Sequence, residues 1–166
     1  MENKAIYEAK PWLKFYPGGA PAEIDVPRES LPEAFDQATA KWKDKTAIIF
    51  YGKKISYSEL SEQVNRFASA LRNLGVKKGD RVALLLVSSP QYIIAFYAAL
   101  KVGAIVTPIS PMYVSVEIKH QLEDSGSEHL ICQDILYDRV EKSGVILKNV
   151  ILTSVGEYLP ALKQFS

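Results

Sequence analysis

Cysteine is nearly absent: Cys132 is the single thiol in 166 residues. One thiol forms no intramolecular disulfide and no cysteine-rich metal site, and it suits a reducing compartment such as the cytoplasm. Nor is there an excess of charge of one sign. Twenty lysines and arginines face nineteen aspartates and glutamates, so the basic surplus of a dedicated nucleic-acid binder is missing. The apolar runs are short. The most apolar stretch, 93–109, carries Lys101, Gly103 and Pro108 and falls below the roughly 20 apolar residues that span a bilayer. It reads as a buried helix followed by a buried strand, so no transmembrane segment is expected. The first residues include Glu2, Lys4, Glu8 and Lys10 and lack the apolar core of a signal peptide. A cytoplasmic location is the expectation, with peripheral attachment to a membrane left open.

Phosphate-cradling loops are missing as well. Gly75 and Gly79 bracket Val76, Lys77 and Lys78, which matches neither G-x-G-x-x-G nor G-x-x-x-x-G-K-[ST]. They read as a helix stop and a turn. A dinucleotide-binding module is therefore disfavoured. His120 and His129 are the only histidines; they lie nine apart, without the Cys or carboxylate spacing of a metal site. Cys132 sits inside a short apolar strand and reads as a buried, inert thiol. No G-x-S-x-G elbow surrounds a serine, so a hydrolase nucleophile is not indicated.

What is present is regular alternation. A chain of this length fits one domain that buries roughly two-thirds of its unfolded surface. Residues 1–29 form an arm punctuated by Pro11, Pro17, Gly18, Gly19, Pro21 and Pro27, which disfavours helix or ladder strand over any length. Trp12, Leu13, Phe15 and Tyr16 make it too apolar for a solvated tail, so it is expected to lie in a groove of its own domain or of a partner. From Ser30 to the end, 30–166, the pattern is that of an α/β subdomain that looks cut rather than finished. Leu31, Phe35, Ala38 and Trp42 recur at helical spacing with Pro32 in the first turn. A strand over 46–51, a turn at Gly52 and Lys53 and a return strand over 54–56 follow. Ser56 and Glu59 form a capping box for a helix whose face carries Leu60, Val64, Phe67, Leu71 and Leu74 and which stops at Gly75.

Three further units repeat the theme: a strand over 81–87 and a helix to Gly103, capped by Ser89 with Pro90 in its first turn; a strand over 104–109 and a helix from a Ser115 cap to Ser125; and a strand over 129–132 with a helix over 135–142. A last strand covers 150–153. Continuous apolar strands alternating with helices predict a mostly parallel sheet covered on both faces, joined by right-handed crossovers. Tyr92, Phe96 and Tyr97 have the spacing of core packing, and Lys53, Lys54, Lys77 and Lys78 read as solvated turn charges. Ser88 and Ser110 each follow the carboxyl end of a predicted strand, the edge at which parallel sheets form ligand crevices. Turn formation and capping are the other roles for such serines.

Two stretches carry more than periodicity. ISYSELSEQVNRFASALRNLGVKKGDRVALLL, residues 55–86, and YIIAFYAALKVGAIVTPISPMYVSVEIKHQLEDSGS, residues 92–127, resemble the opening of AMP-forming acyl-CoA synthetases, the adenylate-forming superfamily. The shared pattern is Pro111, Tyr113, Glu117, Gln121, Leu122, Asp124, Ser125 and Gly126. PWLKFYPGGAPAEIDVP, residues 11–27, is similar to the leader of the long-chain fatty acid–CoA ligases in that family. The resemblance implies a truncated N-terminal subdomain of the synthetase fold within a longer parent. The parent would use ATP, Mg²⁺ and CoA to turn a fatty acid into an acyl-adenylate and then an acyl-CoA.

It also implies that the catalytic groups lie in later parts of the family. Thr153, Ser154, Val155 and Gly156 lack the glycines and lysine of its phosphate loop. No catalytic or metal residue is carried over, and no cofactor is expected to bind strongly to this segment alone. Ser88, Ser110 and Tyr113 are the candidate substrate-binding residues, at the edge of a cleft. Relatives often place asparagine where Ser88 and Ser110 stand. The implied partners are the remainder of the parent chain, a fatty acid, and a second copy in a homodimer held by the N-terminal arm. A stand-alone acyl- or nucleotide-binding module is the alternative, as is a synthetase for shorter or aromatic acids.

Overall fold

The structure, a computed structural model, describes residues 7–160. Its core is a four-stranded parallel sheet in the order β4-β3-β5-β6, with β3 Arg81–Leu85, β4 Ile105–Pro108, β5 His129–Gln133 and β6 Asn149–Thr153. A separate antiparallel hairpin pairs β1 Thr46–Phe50 with β2 Lys53–Ser56. The helices are α1 Leu31–Lys41, α2 Tyr57–Asn73, α3 Pro90–Val102, α4 Ser115–Ser125 and α5 Tyr137–Ser143.

Successive side chains of a strand point to opposite faces, and each face of the sheet has its own core. Val82, Leu84, Leu86 and Ile131 pack with Val64 and Leu71 of α2 and with Ile94, Ala98 and Ala99 of α3. Ala83, Leu85, Leu130 and Cys132 pack with Ile118 and Leu122 of α4 and with Val140 of α5. A sheet buried on both faces needs strands that are apolar throughout, which is why these runs show no alternation in sequence. Each fully buried aliphatic side chain contributes about 1.5–3 kcal/mol relative to exposure.

Local signals set most boundaries. Ser30 and Ser56 cap α1 and α2, and Glu33 and Glu59 reach back to their backbone N–H groups at 2.7 Å. Several boundaries differ from the sequence expectation. The hairpin turns at Tyr51 and Gly52 (φ 47° and 87°) rather than at Gly52 and Lys53. Two positive φ values make the tight turn whose twist matches a hairpin, and this leaves Lys53 in the return strand. Val114, not Ser115, is the N-cap of α4; the Glu117 carboxylate accepts from the Val114 N–H at 2.9 Å, which makes a serine hydroxyl there unnecessary. Ser89 occupies the N-cap of α3 but its side chain makes no capping hydrogen bond. The last predicted helix begins as a 3-10 turn, Asp134–Leu136, before α5.

In the arm, Pro11–Phe15 forms a short 3-10 helix with proline in its first turn. Among the described residues of the arm, Trp12 and Leu13 are half-buried, whereas Phe15 and Ile24 are 78% and 82% exposed and Tyr16 and Val26 are exposed as well, so these last four lie in no groove of their own domain. Residues 1–6 and 161–166, with the expectations that fall on them, lie outside the described residues.

Candidate functional site

The strand order places a topological switch at β3. Its two neighbours, β4 and β5, follow it in sequence, and the connections through α3 and through α4 and α5 pack on opposite faces of the sheet. In such sheets the chain parts on either side of the carboxyl ends and leaves a crevice there.

Ser88 and Ser110 meet in it. Together with Leu86, Tyr92, Pro108 and Pro111 they line a crevice of about 310 Å³ between the ends of β3 and β4. Each is placed by its strand. β3 runs into 86–89 before α3 turns away, and beyond Pro108 the Ile109 N–H continues the ladder by donating to the Leu84 carbonyl at 2.9 Å. The Ser110 hydroxyl accepts from the Met112 N–H at 3.3 Å, a local turn bond that leaves its own proton free to donate. Among the described residues no ionised side chain lines this crevice. It can shape an apolar group and donate hydrogen bonds, but it has no cation to balance the charge that develops in phosphoryl chemistry.

Tyr113 is not brought into this crevice. Its side chain packs with the α4 and α5 core and lines a separate concavity with Glu117, His120 and Gln121. Its backbone has a clear role. Arg139 of α5 donates to the carbonyls of Pro111 (2.9 Å) and Tyr113 (3.2 Å), pinning the loop after β4. Tyr92 lines the crevice and also packs with the core, whereas Phe96 and Tyr97 serve the core alone, Tyr97 stacking on Phe35 at 4.3 Å.

Sequence reasoning missed a polar group at the carboxyl end of β6. The Gln91 amide donates to the Ser154 carbonyl at 2.7 Å, and the Gln133 amide donates to the Thr153 carbonyl at 3.0 Å. Two buried glutamines thus grip consecutive carbonyls where the chain leaves β6. Among the described residues the Ser89 hydroxyl and both glutamine oxygens are buried without a hydrogen-bond partner. The available signal was a glutamine inside each of two otherwise apolar segments, PQYIIAF and HLICQ.

The remaining candidates resolve into structure. His129 is buried at the amino end of the sheet, where its Nδ1 faces the Asn149 amide at 2.9 Å and its Nε2 lies 3.5 Å from the Asp80 carboxylate. Asp80 accepts the Lys77 N–H at 2.8 Å, and that bond first of all holds its carboxyl below the usual range. His120 is exposed on α4. Burial, with the Asp134 charge as a smaller contribution, pushes the Cys132 thiol up to about 12, so it is no nucleophile. Ser154 caps a 3-10 turn, Val155–Tyr158, by accepting the Gly156 N–H at 3.3 Å. Among the described residues no three His, Cys, Asp or Glu side chains gather to hold a metal, and no helix is long and apolar enough to cross a membrane.

The family model described as AMP-binding enzyme matches residues 35–164. A long-chain-fatty-acid–CoA ligase of Bacillus subtilis is 37% identical over 153 residues, covering 91% of this chain and 27% of its own. One from Yersinia pestis is 40% identical over 160 residues, covering 93% and 28%. Among solved structures, a long-chain-fatty-acid–CoA ligase of Archaeoglobus fulgidus superposes with a TM-score of 0.74 at 31% identity, covering 86% of this chain and 32% of that one. The chain spans between a quarter and a third of the length of these relatives.

Proposed function

The chain belongs to the AMP-binding enzyme family, and from that premise we propose that it is the opening segment of a fatty acid–CoA ligase. In this reading the whole enzyme activates a fatty acid with ATP and Mg²⁺ to an acyl-adenylate and pyrophosphate, and the CoA thiol then displaces AMP. The observation that carries it is identity of 37–40% to long-chain ligases over more than nine-tenths of the chain. The segment contributes the switch crevice, with Ser88 and Ser110 at its mouth as hydrogen-bond donors toward the substrate. Tyr113 acts through its backbone by fixing the loop that bears Ser110. The charged groups that the chemistry requires are absent from this crevice and come from the rest of the enzyme.

ATP–pyrophosphate exchange with a fatty acid series tests this reading. Residues 1–166 alone are expected to show no exchange, while the longer ligase that contains them exchanges with long-chain acids. Exchange by the 166-residue chain itself would refute the division of labour. Exchange only with short or aromatic acids would refute the substrate class. The exposed apolar side chains of the arm fit contact with a second copy in a homodimer. Deleting residues 1–28 should then lower the solution mass of the enzyme. A cytoplasmic enzyme that meets membranes peripherally is the setting this substrate fits.

A further inference from the structure

One stretch of the chain is strongly basic. Residues 41–57 hold Lys41, Lys43, Lys45, Lys53 and Lys54 against Asp44 alone, a net charge of +4 in a chain whose formal charge is +1. The remaining residues are together acidic. All five lysines are exposed, and among the described residues none lies within salt-bridge distance of a carboxylate. Apolar and aromatic side chains stand between them. Ile49 and Tyr51 are 66% and 62% exposed, and Trp42 is exposed with the Lys41 ammonium 4.9 Å from its ring centroid.

The fold presents these groups together. In the hairpin Ile49 pairs with Lys54, so both side chains stand on one face, while the neighbouring pair, Ile48 and Ile55, packs the other face into the core with α2. At the foot of the hairpin the Tyr57 N–H donates to the Lys45 carbonyl at 3.0 Å and the Ser58 N–H to the Lys43 carbonyl at 2.9 Å. These bonds tie the lysine-bearing turn after α1 to the start of α2. Foot and tip are about 16 Å apart, the length of β1. At the tip, Tyr51 holds φ 47°, a left-handed conformation that hairpin turns ordinarily give to Asn, Asp or Gly. Its ring, set at right angles to Phe50 with centroids 4.8 Å apart, is left largely exposed where glycine would fit the turn without strain. Packing does not explain a strained, outward tyrosine. Contact with something outside the domain does.

We infer that the hairpin and the turn at its foot form a docking surface for an anionic phospholipid bilayer. The unpaired lysines meet the headgroup phosphates, and Tyr51, Ile49 and Trp42 enter the headgroup boundary. Tyr and Trp favour that depth because one end of each ring system is apolar and the other polar. Each lysine held near such a surface raises affinity about fivefold. A nucleic acid or an acidic protein is the poorer fit. The stretch has no arginine, the residue whose planar fork suits paired contacts to phosphate or carboxylate, and an exposed isoleucine on a strand has no place against a phosphate backbone. The inference deepens the ligase reading and rests on it: a membrane is where a long-chain acid is held, and this face would bring the enzyme to it.

Vesicle co-sedimentation of the full-length ligase tests it, using phosphatidylcholine alone and phosphatidylcholine mixed with phosphatidylglycerol in about equal amounts. The enzyme should bind the anionic vesicles and not the neutral ones. Replacing Lys43, Lys45 and Lys54 together by Gln should weaken that binding roughly a hundredfold. Tyr51→Gly, which keeps the turn, should weaken it several-fold. These substitutions fall on exposed side chains and should leave Tm within about 2 °C. A second measurement needs no variant: raising salt from about 0.1 M to 1 M cuts the screening length from about 10 to 3 Å and should release the unmodified enzyme. Anionic-vesicle binding that the triple variant retains, or equal binding to both vesicles, would overturn the inference. So would binding to a DNA duplex as tight as to the anionic vesicles, because the occupant would then be a nucleic acid. An enzyme that exchanges pyrophosphate with long-chain acids but ignores vesicles loses the docking surface alone. A protein that docks through the hairpin and shows no exchange sinks the ligase reading and leaves the surface standing.

Discussion

A Cβ on Gly103 would come within 2.9 Å of Lys78 Cγ and 3.1 Å of its Cβ, and the residue sits at φ +83°. Both facts follow from the sharp exit of α3 into β4, where the Gly79 N–H donates to the Gly103 carbonyl at 2.9 Å. Gly103→Ala is therefore expected to destabilise the chain by about 1–2 kcal/mol, which a urea titration would show as a lower midpoint at constant slope. At Cys132 the folded state favours the protonated thiol, raising its pKa from 9.0 to about 12. That contribution is complete below the unfolded pKa and is lost as pH rises from about 9 toward 12. Stability should fall across this alkaline window. Comparing Cys132→Ala with the unmodified chain at pH 8 and pH 10.5 should show a shallower fall in the variant. A thiol-specific reagent at pH 8 should label Cys132 only as fast as the domain opens.

At the scale of elements, the capping boxes are the most exposed lever. Ser56 accepts the Glu59 N–H at 3.2 Å while the Glu59 carboxylate takes the Ser56 N–H at 2.7 Å. Ser56→Ala should cost about 1 kcal/mol, measured by thermal or urea unfolding. The backbone bond from Ser56 first, then its hydroxyl, holds the Glu59 carboxyl below the usual range. Its contribution is therefore present above the ordinary carboxylate pKa and lost as pH falls through the lowered one. The Ser56 box, the parallel alternation and the stops at Gly75, Gly103 and Gly126 were legible because each depends on a few neighbouring residues. What stayed hidden depends on contacts distant in sequence. Ser89 and Ser115 look like caps, but Glu117 serves the first turn of α4, and among the described residues the Ser89 hydroxyl is buried without a hydrogen-bond partner. The pairing of Ser88 with Ser110 was readable from strand ends. The divergence of Tyr113 was not, since its direction is set by packing against α4 and by Arg139 of α5. Gln91 and Gln133 act across 63 and 20 residues of chain, a range that local spacing does not report.

For the molecule as a whole, one sheet separates two cores that share its strands but not their side chains. Among the described residues, the crevice at the switch is lined by hydroxyls, prolines and apolar side chains and by no ionised group. Strand β3 is where the two halves meet, since both of its neighbours, β4 and β5, come after it in the chain. Translation delivers residues in one direction, so this nearly all-aliphatic strand emerges from the ribosome well before either of the strands that flank it. The hairpin and the α2 helix can form from local contacts during that interval, while β3 waits with its backbone unpaired. During synthesis, this interior strand is made before either of the neighbours that will cover its edges, which leaves it in need of a chaperone.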